Sequence, residues 1–196
     1  MKILIPVLLF FTFSGFSRTN FQKVRVEKHK TSINELFDSN GKYHVVTLLV
    51  TQTFTYCGGA RPSPEMIKEL GTPNPISGKK LYLKKGEKNT LASKIFLEVC
   101  SDSAGKVFIK LQPGKYFVVD ERKKDRIYYN GLLKRYATAT ESHSAIQKSC
   151  LLNWYEKPDL MFEIKDEDSI ALSLNYQKPC SWNEIPCLTY KGSLPE

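Results

Sequence analysis

Five cysteines carry most of this chain's capacity for covalent chemistry: Cys57, Cys100, Cys150, Cys180 and Cys187. None forms the tight Cys-x-x-Cys pair that a zinc site requires. The three histidines, His29, His44 and His143, fall in separate segments without ligand spacing, and His44 and His143 read as surface residues. A Cys–His nucleophile could draw on Cys100, but Glu98 and Asp102 beside it argue against that use. The run Asp166-Glu167-Asp168 lacks the alternating oxygen spacing of a calcium loop and reads as a polar turn between two strands. Asp102 and Asp120 read as turn and strand-end residues. No catalytic, cofactor-binding or metal-ligating residue, and no cofactor, is expected.

What the cysteines do depends on where the chain goes. Met1-Lys2 is followed by an apolar stretch from Ile3 to Phe13 and then by the small residues Ser14, Gly15 and Ser17. That order is the pattern of a cleavable export signal over 1–17. A stretch of eleven residues falls well short of the about 20 that span a bilayer. An exported chain meets an oxidising compartment, periplasmic or extracellular, where cysteines pair. Cys100 lies inside a strand pattern and is expected to be the free thiol. The other four lie at element edges and are expected to form two bridges, with all three pairings open; one possibility is that Cys57 and Cys187 tie a loop to the tail.

The elements that must position these residues are mostly strands. From Tyr43, the residues Val46, Leu48, Val50 and Phe54 alternate with threonines, the period of a half-buried strand. Residues 60–78 hold Pro62, Pro64, Pro73 and Pro75 with Gly71 and Gly78, a stiff loop with room for a helical turn near 64–70. Further period-two runs follow at 80–84, 95–100, 107–111, 116–120, 160–164 and 170–176. Close spacing of strands and turns predicts antiparallel pairing. Residues 121–157 break the rhythm. Leu132, Leu133, Tyr136, Ala139 and Ile146 there fit a helix, which would also hold His143. The expected organisation is a signal (1–17), an N-terminal extension (18–42), and one domain (43–196). That domain is mainly β: an antiparallel sandwich of about seven strands with a partly helical insertion at about 121–157.

The stretch Asp102-x-x-Gly105-x-Val107-x-Ile109-x-Leu111-x-Pro113-Gly114-x-Tyr116-x-Val118 resembles the signature of carboxypeptidase regulatory-like domains, relatives of the transthyretin-like and Cna-B-type prealbumin sandwiches. Val107 stands where that signature usually has an aromatic residue. The resemblance implies a prealbumin-like sandwich marked by Asp102, Gly105, Pro113, Gly114 and Tyr116. Such domains usually act as spacers or recognition units. Tyr56-Cys57-Gly58-Gly59-Ala60 and Ile185-Pro186-Cys187-Leu188 also resemble segments of small exported proteins of Gram-negative bacteria, which implies no activity. The tail Tyr190-Lys191-Gly192-Ser193 is similar to the Tyr-Arg-Gly-Ser ending of transthyretin-like hydroxyisourate hydrolases. That enzyme class also needs two histidines and an arginine, and Lys191 here lacks the planar fork of an arginine.

The chain of 196 residues carries a formal charge of +9; removal of 1–17, with Lys2, would leave 179 residues and +8. A basic excess attracts anionic surfaces. The lysines are spread along the chain and nothing resembles a nucleic-acid module. The expected function is therefore a non-enzymatic binding or structural module of the cell envelope, its partner an envelope or extracellular protein or an anionic polymer. A transthyretin-like hydrolase is the alternative. The loop 60–78, the insertion 121–150 and the tail around Trp182 are where recognition is expected.

Overall fold

Alternation of aliphatic and polar residues builds two sheets that share one apolar core. The computed structural model describes residues 42–165 and 169–193. The signal segment, His29 and the run Asp166-Glu167-Asp168 lie outside them. The first sheet is centred on β1 (His44–Phe54), which pairs antiparallel with β2 (Asn74–Pro75) and β5 (Lys106–Leu111) and parallel with β8 (Ser169–Lys178). The second runs β4 (Leu97–Cys100), β3 (Lys80–Lys85), β6 (Gly114–Val119), β7 (Leu160–Ile164), all antiparallel. Val46, Leu48, Val50, Val107 and Leu174 from the first sheet meet Leu81, Leu83, Tyr116, Val118 and Ile164 from the second. The residual void between the sheets is about 10 Å³ and lined by aliphatic and Phe side chains, so the sandwich interior is not a ligand chamber.

Two differences from the sequence expectation have physical causes. Eight strands are present among the described residues, because the short β2 forms inside the Pro-rich loop. The β1–β8 pair is parallel, where hairpin spacing predicted antiparallel strands throughout. Spacing constrains only sequential neighbours, and these two strands meet from opposite ends of the domain with no hairpin between them.

The Asp102 turn is built as its residue types suggest. The Asp102 carboxylate accepts from the backbone N–H groups of Ala104 (2.9 Å) and Lys106 (2.8 Å). Gly105 has φ +74°, and an added Cβ would stand 2.6 Å from the Val50 carbonyl oxygen, so only glycine lets this turn approach β1. Gly114 opens β6, and Tyr116 two residues later donates to the Gln112 carbonyl (3.0 Å) and stacks on Phe162.

Helices occupy the irregular regions. In the loop, α1 (Pro64–Gly71) starts at Ser63, whose hydroxyl accepts from the Met66 N–H. The insertion forms two helices, α2 (Arg126–Arg135), capped by Asp125, and α3 (Lys148–Glu156). The expected continuous helix is interrupted at 137–146, where Thr138, Thr140, Ser142 and Ser144 offer the backbone local partners that compete with helix. Thr140 takes that option: its hydroxyl accepts from the His143 N–H. The helices bury Tyr129, Leu132, Tyr136, Leu151 and Tyr155 with Leu188 of the tail. On the outward face of the second sheet Tyr82, Lys84, Phe117 and Val119 are all buried, and Asn89 links Lys84 there to Tyr155 of α3.

Candidate functional site

Asp120 closes β6 and Asp159 opens β7, so sheet pairing brings the two carboxylates to one end of the sandwich. The Asp159 carboxylate accepts from the Asp120 N–H (2.8 Å), the Tyr176 hydroxyl (3.3 Å) and the Lys123 ammonium (2.7 Å). Lys123 also donates to the Lys157 carbonyl at the end of α3 (2.8 Å). Arg122 occupies both oxygens of Asp120, one through its backbone N–H and one through Nε, each at 3.0 Å. Burial, followed by the charges of Asp159 and Asp120, pushes the Tyr176 phenol well up, so it stays a neutral donor. Burial likewise raises Tyr128. The arrangement is a clasp: it ties the second sheet, β8 of the first sheet and α3 together, and its charged groups satisfy one another.

A second polar knot adjoins it at Lys123. Lys84 is fully buried on the outward face of β3 and donates to Asn89 Oδ1 (2.6 Å). Asn89 in turn donates to the carbonyls of Lys123 (2.9 Å) and Tyr155 (3.0 Å), and its backbone N–H to Glu156. Burial pulls the Lys84 amine down to about 8, opposed by the charge of Asp125.

The clasp supports the wall of an open groove of about 590 Å³. Ser149, Asn153 and Trp154 of α3 and Lys157, the capping residue just past it, line one side, with Ser149 and Asn153 one turn apart. Pro186 and Cys187 of the tail line the other, and the Cys150–Cys187 disulfide joins the two. The Trp154 ring carries Lys123 at 5.0 Å and Arg122 at 5.8 Å, both held by the clasp.

The second disulfide joins Cys57, just past β1, to Cys180, just past β8, with Cα atoms 5.6 Å apart. Cys57 therefore ties its loop to the tail through Cys180, not through Cys187. Cys100 is free and exposed at the end of β4. Two histidine placements differ from expectation. His44 is fully buried at the start of β1, since the inward register of that strand includes it. His143 lies in the interrupted stretch between α2 and α3, with its ring between Tyr136 (5.9 Å) and Tyr190 (5.5 Å). There the tail pairs back on the insertion, as Ser144 donates to the Thr189 carbonyl and Lys191 to that of Ser142. His44 thus belongs to the sandwich and His143 to the helical segment.

Of the regions expected to recognise a partner, the insertion and the tail meet at the groove. The loop 60–78 and Trp182 are not part of its lining. Sequence reading passed over Asp159, Lys123, Trp154 and Lys157. The signal that could have found Trp154, Lys157 and Asp159 is the run Trp154 to Asp159, which puts an aromatic, a cation and a carboxylate at a helix-to-strand junction; nothing in it points to Lys123.

No protein-family model matches the chain, and neither does any curated protein. Among solved structures, a minor pilin of Streptococcus agalactiae is similar with a TM-score of 0.35 and 11% identity, over 80% of this chain and 49% of the pilin. The Bacillus anthracis TIE protein is similar with a TM-score of 0.33 and 15% identity, over 69% of this chain and 17% of that protein. This chain thus spans about half of one and under a fifth of the other. Neither likeness is close enough to carry a function across.

Proposed function

We propose that this protein is an exported, non-catalytic binding module of the cell envelope, built on a prealbumin-type sandwich of the carboxypeptidase regulatory-like kind. The observation that carries the reading is the division of labour around α3. The charged groups that converge there are spent on one another, as a clasp. The adjoining groove is left open, with an aromatic ring, carboxamides and an ammonium group on rigid walls. Catalytic sites need a group held ready for the substrate's proton or carbonyl; Asp120, Asp159, Lys123 and Tyr176 instead hold the fold. Two disulfides support export into an oxidising compartment. The separation of His44 and His143 disfavours the hydroxyisourate hydrolase, which needs its histidines in one cleft.

The test is fractionation of cells producing the tagged full chain. N-terminal sequencing of the mature form should begin after Ser17. Non-reducing peptide mapping should recover 57–180 and 150–187 with Cys100 alkylated. The mature protein should leave hydroxyisourate unconverted. A reduced, uncleaved chain inside the cell, or hydrolysis lost on His143→Ala, contradicts the reading.

A further inference from the structure

We propose that the groove between α3 and the tail binds a carboxylated sugar chain, with Trp154 as the stacking platform, Asn153 as the hydroxyl reader and Lys157 as the carboxylate anchor. This deepens the binding-module reading and rests on it. The chemistry of the walls selects the ligand class. An indole offers a flat apolar surface to the C–H face of a pyranose ring. A carboxamide presents a donor and an acceptor side by side, the pattern that neighbouring sugar hydroxyls complement. Asn153 lines the α3 wall, and Gln147 stands at its N-terminal end. The lining holds one charged side chain, Lys157, which is basic and exposed in the groove. Arg122 lies over the Trp154 ring beside it with its charge already paired to Asp120, which leaves Lys157 as the cation for the ligand. The formal charge of +9 acts in the same direction at longer range.

Both walls of the groove are held in place. The Cys150–Cys187 bond fixes one wall to the other. The clasp fixes Trp154 through the cations on its ring and Lys157 through its carbonyl. A pre-formed site loses little entropy when a ligand enters. The groove is shallow and open, and its open side lets a chain continue past the residues bound.

The experiment titrates the oxidised mature protein with a galacturonate trimer. Trp154 fluorescence is followed in a Trp182→Phe background, which leaves it as the single tryptophan, alongside amide chemical shifts. Saturable binding with a Kd of roughly 0.1–1 mM is expected for so shallow a site. The shifts should be confined to 147–157 and 185–188. Lys157→Gln should weaken binding about tenfold, the loss of one charged hydrogen bond. Asn153→Ala and Trp154→Phe should weaken it several-fold, and Lys134→Gln on α2 should change nothing. A neutral galactose trimer should bind about as weakly to the native protein as the galacturonate trimer binds to the Lys157→Gln variant. The proposal is overturned by the absence of a saturable response at millimolar sugar. It is equally overturned if pentaglutamate binds as well as the trimer, which makes the groove a peptide site, or if Lys157→Gln and Trp154→Phe leave affinity intact. None of these results touches export or the disulfide map. Chromatography of the mixture covers the converse: cleavage of the trimer would overturn the non-catalytic reading while leaving the site in place.

Discussion

The sandwich core is made of aliphatic side chains from both sheets, Val46, Leu48, Leu81, Leu83 and Val118 among them, and the Cys57–Cys180 bond lies outside it, past the ends of β1 and β8. The helical segment buries tyrosines, Tyr129, Tyr136 and Tyr155, around Leu151, and fastens them with a disulfide, the Asn89 knot and the Asp159 clasp. Aliphatic surface is stabilised wherever it leaves water and asks for no particular partner. A buried phenol, amide or ammonium group must find one. The two regions therefore differ in what breaks them. The sandwich is vulnerable to cavities, the helical segment to the loss of single bonds.

The largest effect is expected in the sandwich. Leu83→Ala removes a side chain that is 1% exposed between the sheets and should cost about 3–4 kcal/mol, read as a lower denaturation midpoint with an unchanged slope. Asp159→Ala should cost about 3 kcal/mol, because Lys123 is left buried without its counter-charge. Its signature differs: Trp154 fluorescence should change at denaturant concentrations below the sandwich transition. Replacing Cys150 and Cys187 by serine releases a 37-residue span and should cost about 2–3 kcal/mol, again with Trp154 reporting first.

The smallest effect is a pH dependence, measured in a Cys100→Ser background to prevent disulfide exchange. The Lys84 amine titrates at about 8 in the folded protein against 10.5 ordinarily. Between these values the unfolded chain holds more protons, so stability should rise with pH from about 8 to 10. Burial and the bond to Glu121 push the Tyr82 phenol up to about 12 from 10.0. The stability it contributes is present below pH 10 and is lost between about 10 and 12. A maximum near pH 10 is expected, and Lys84→Met should flatten the rising limb while keeping the fall.

The same contrast governs what could be read in the sequence. The seven alternating runs are strands because period two marks a face that must be buried, whichever partner buries it. The parallel β1–β8 pair was hidden, since strand direction is fixed by chain path and not by residue pattern. The fixed spacing of Asp102, Gly105 and Pro113-Gly114 marks local turns, and local turns are legible. Asp159 and Lys123 lie 36 residues apart, and nothing at either position announces the other. His44 looks like a surface histidine until the register of β1 turns it inward. The groove was half legible: the insertion and tail were expected to recognise, but Trp154 and Lys157 become neighbours of Pro186 through the Cys150–Cys187 bond, the packing of Leu188 and the backbone bonds between tail and insertion, none of which a residue pattern announces.

Native-state hydrogen exchange with and without reductant tests the contrast most directly. Reduction should accelerate exchange of the α3 amides and of those between Ile185 and Lys191 by tenfold or more, about 1.4 kcal/mol or greater. The central amides of β3 and β6 should keep their protection. Equal loosening of the sandwich and the helical segment, or an α3 indifferent to reductant, would contradict it.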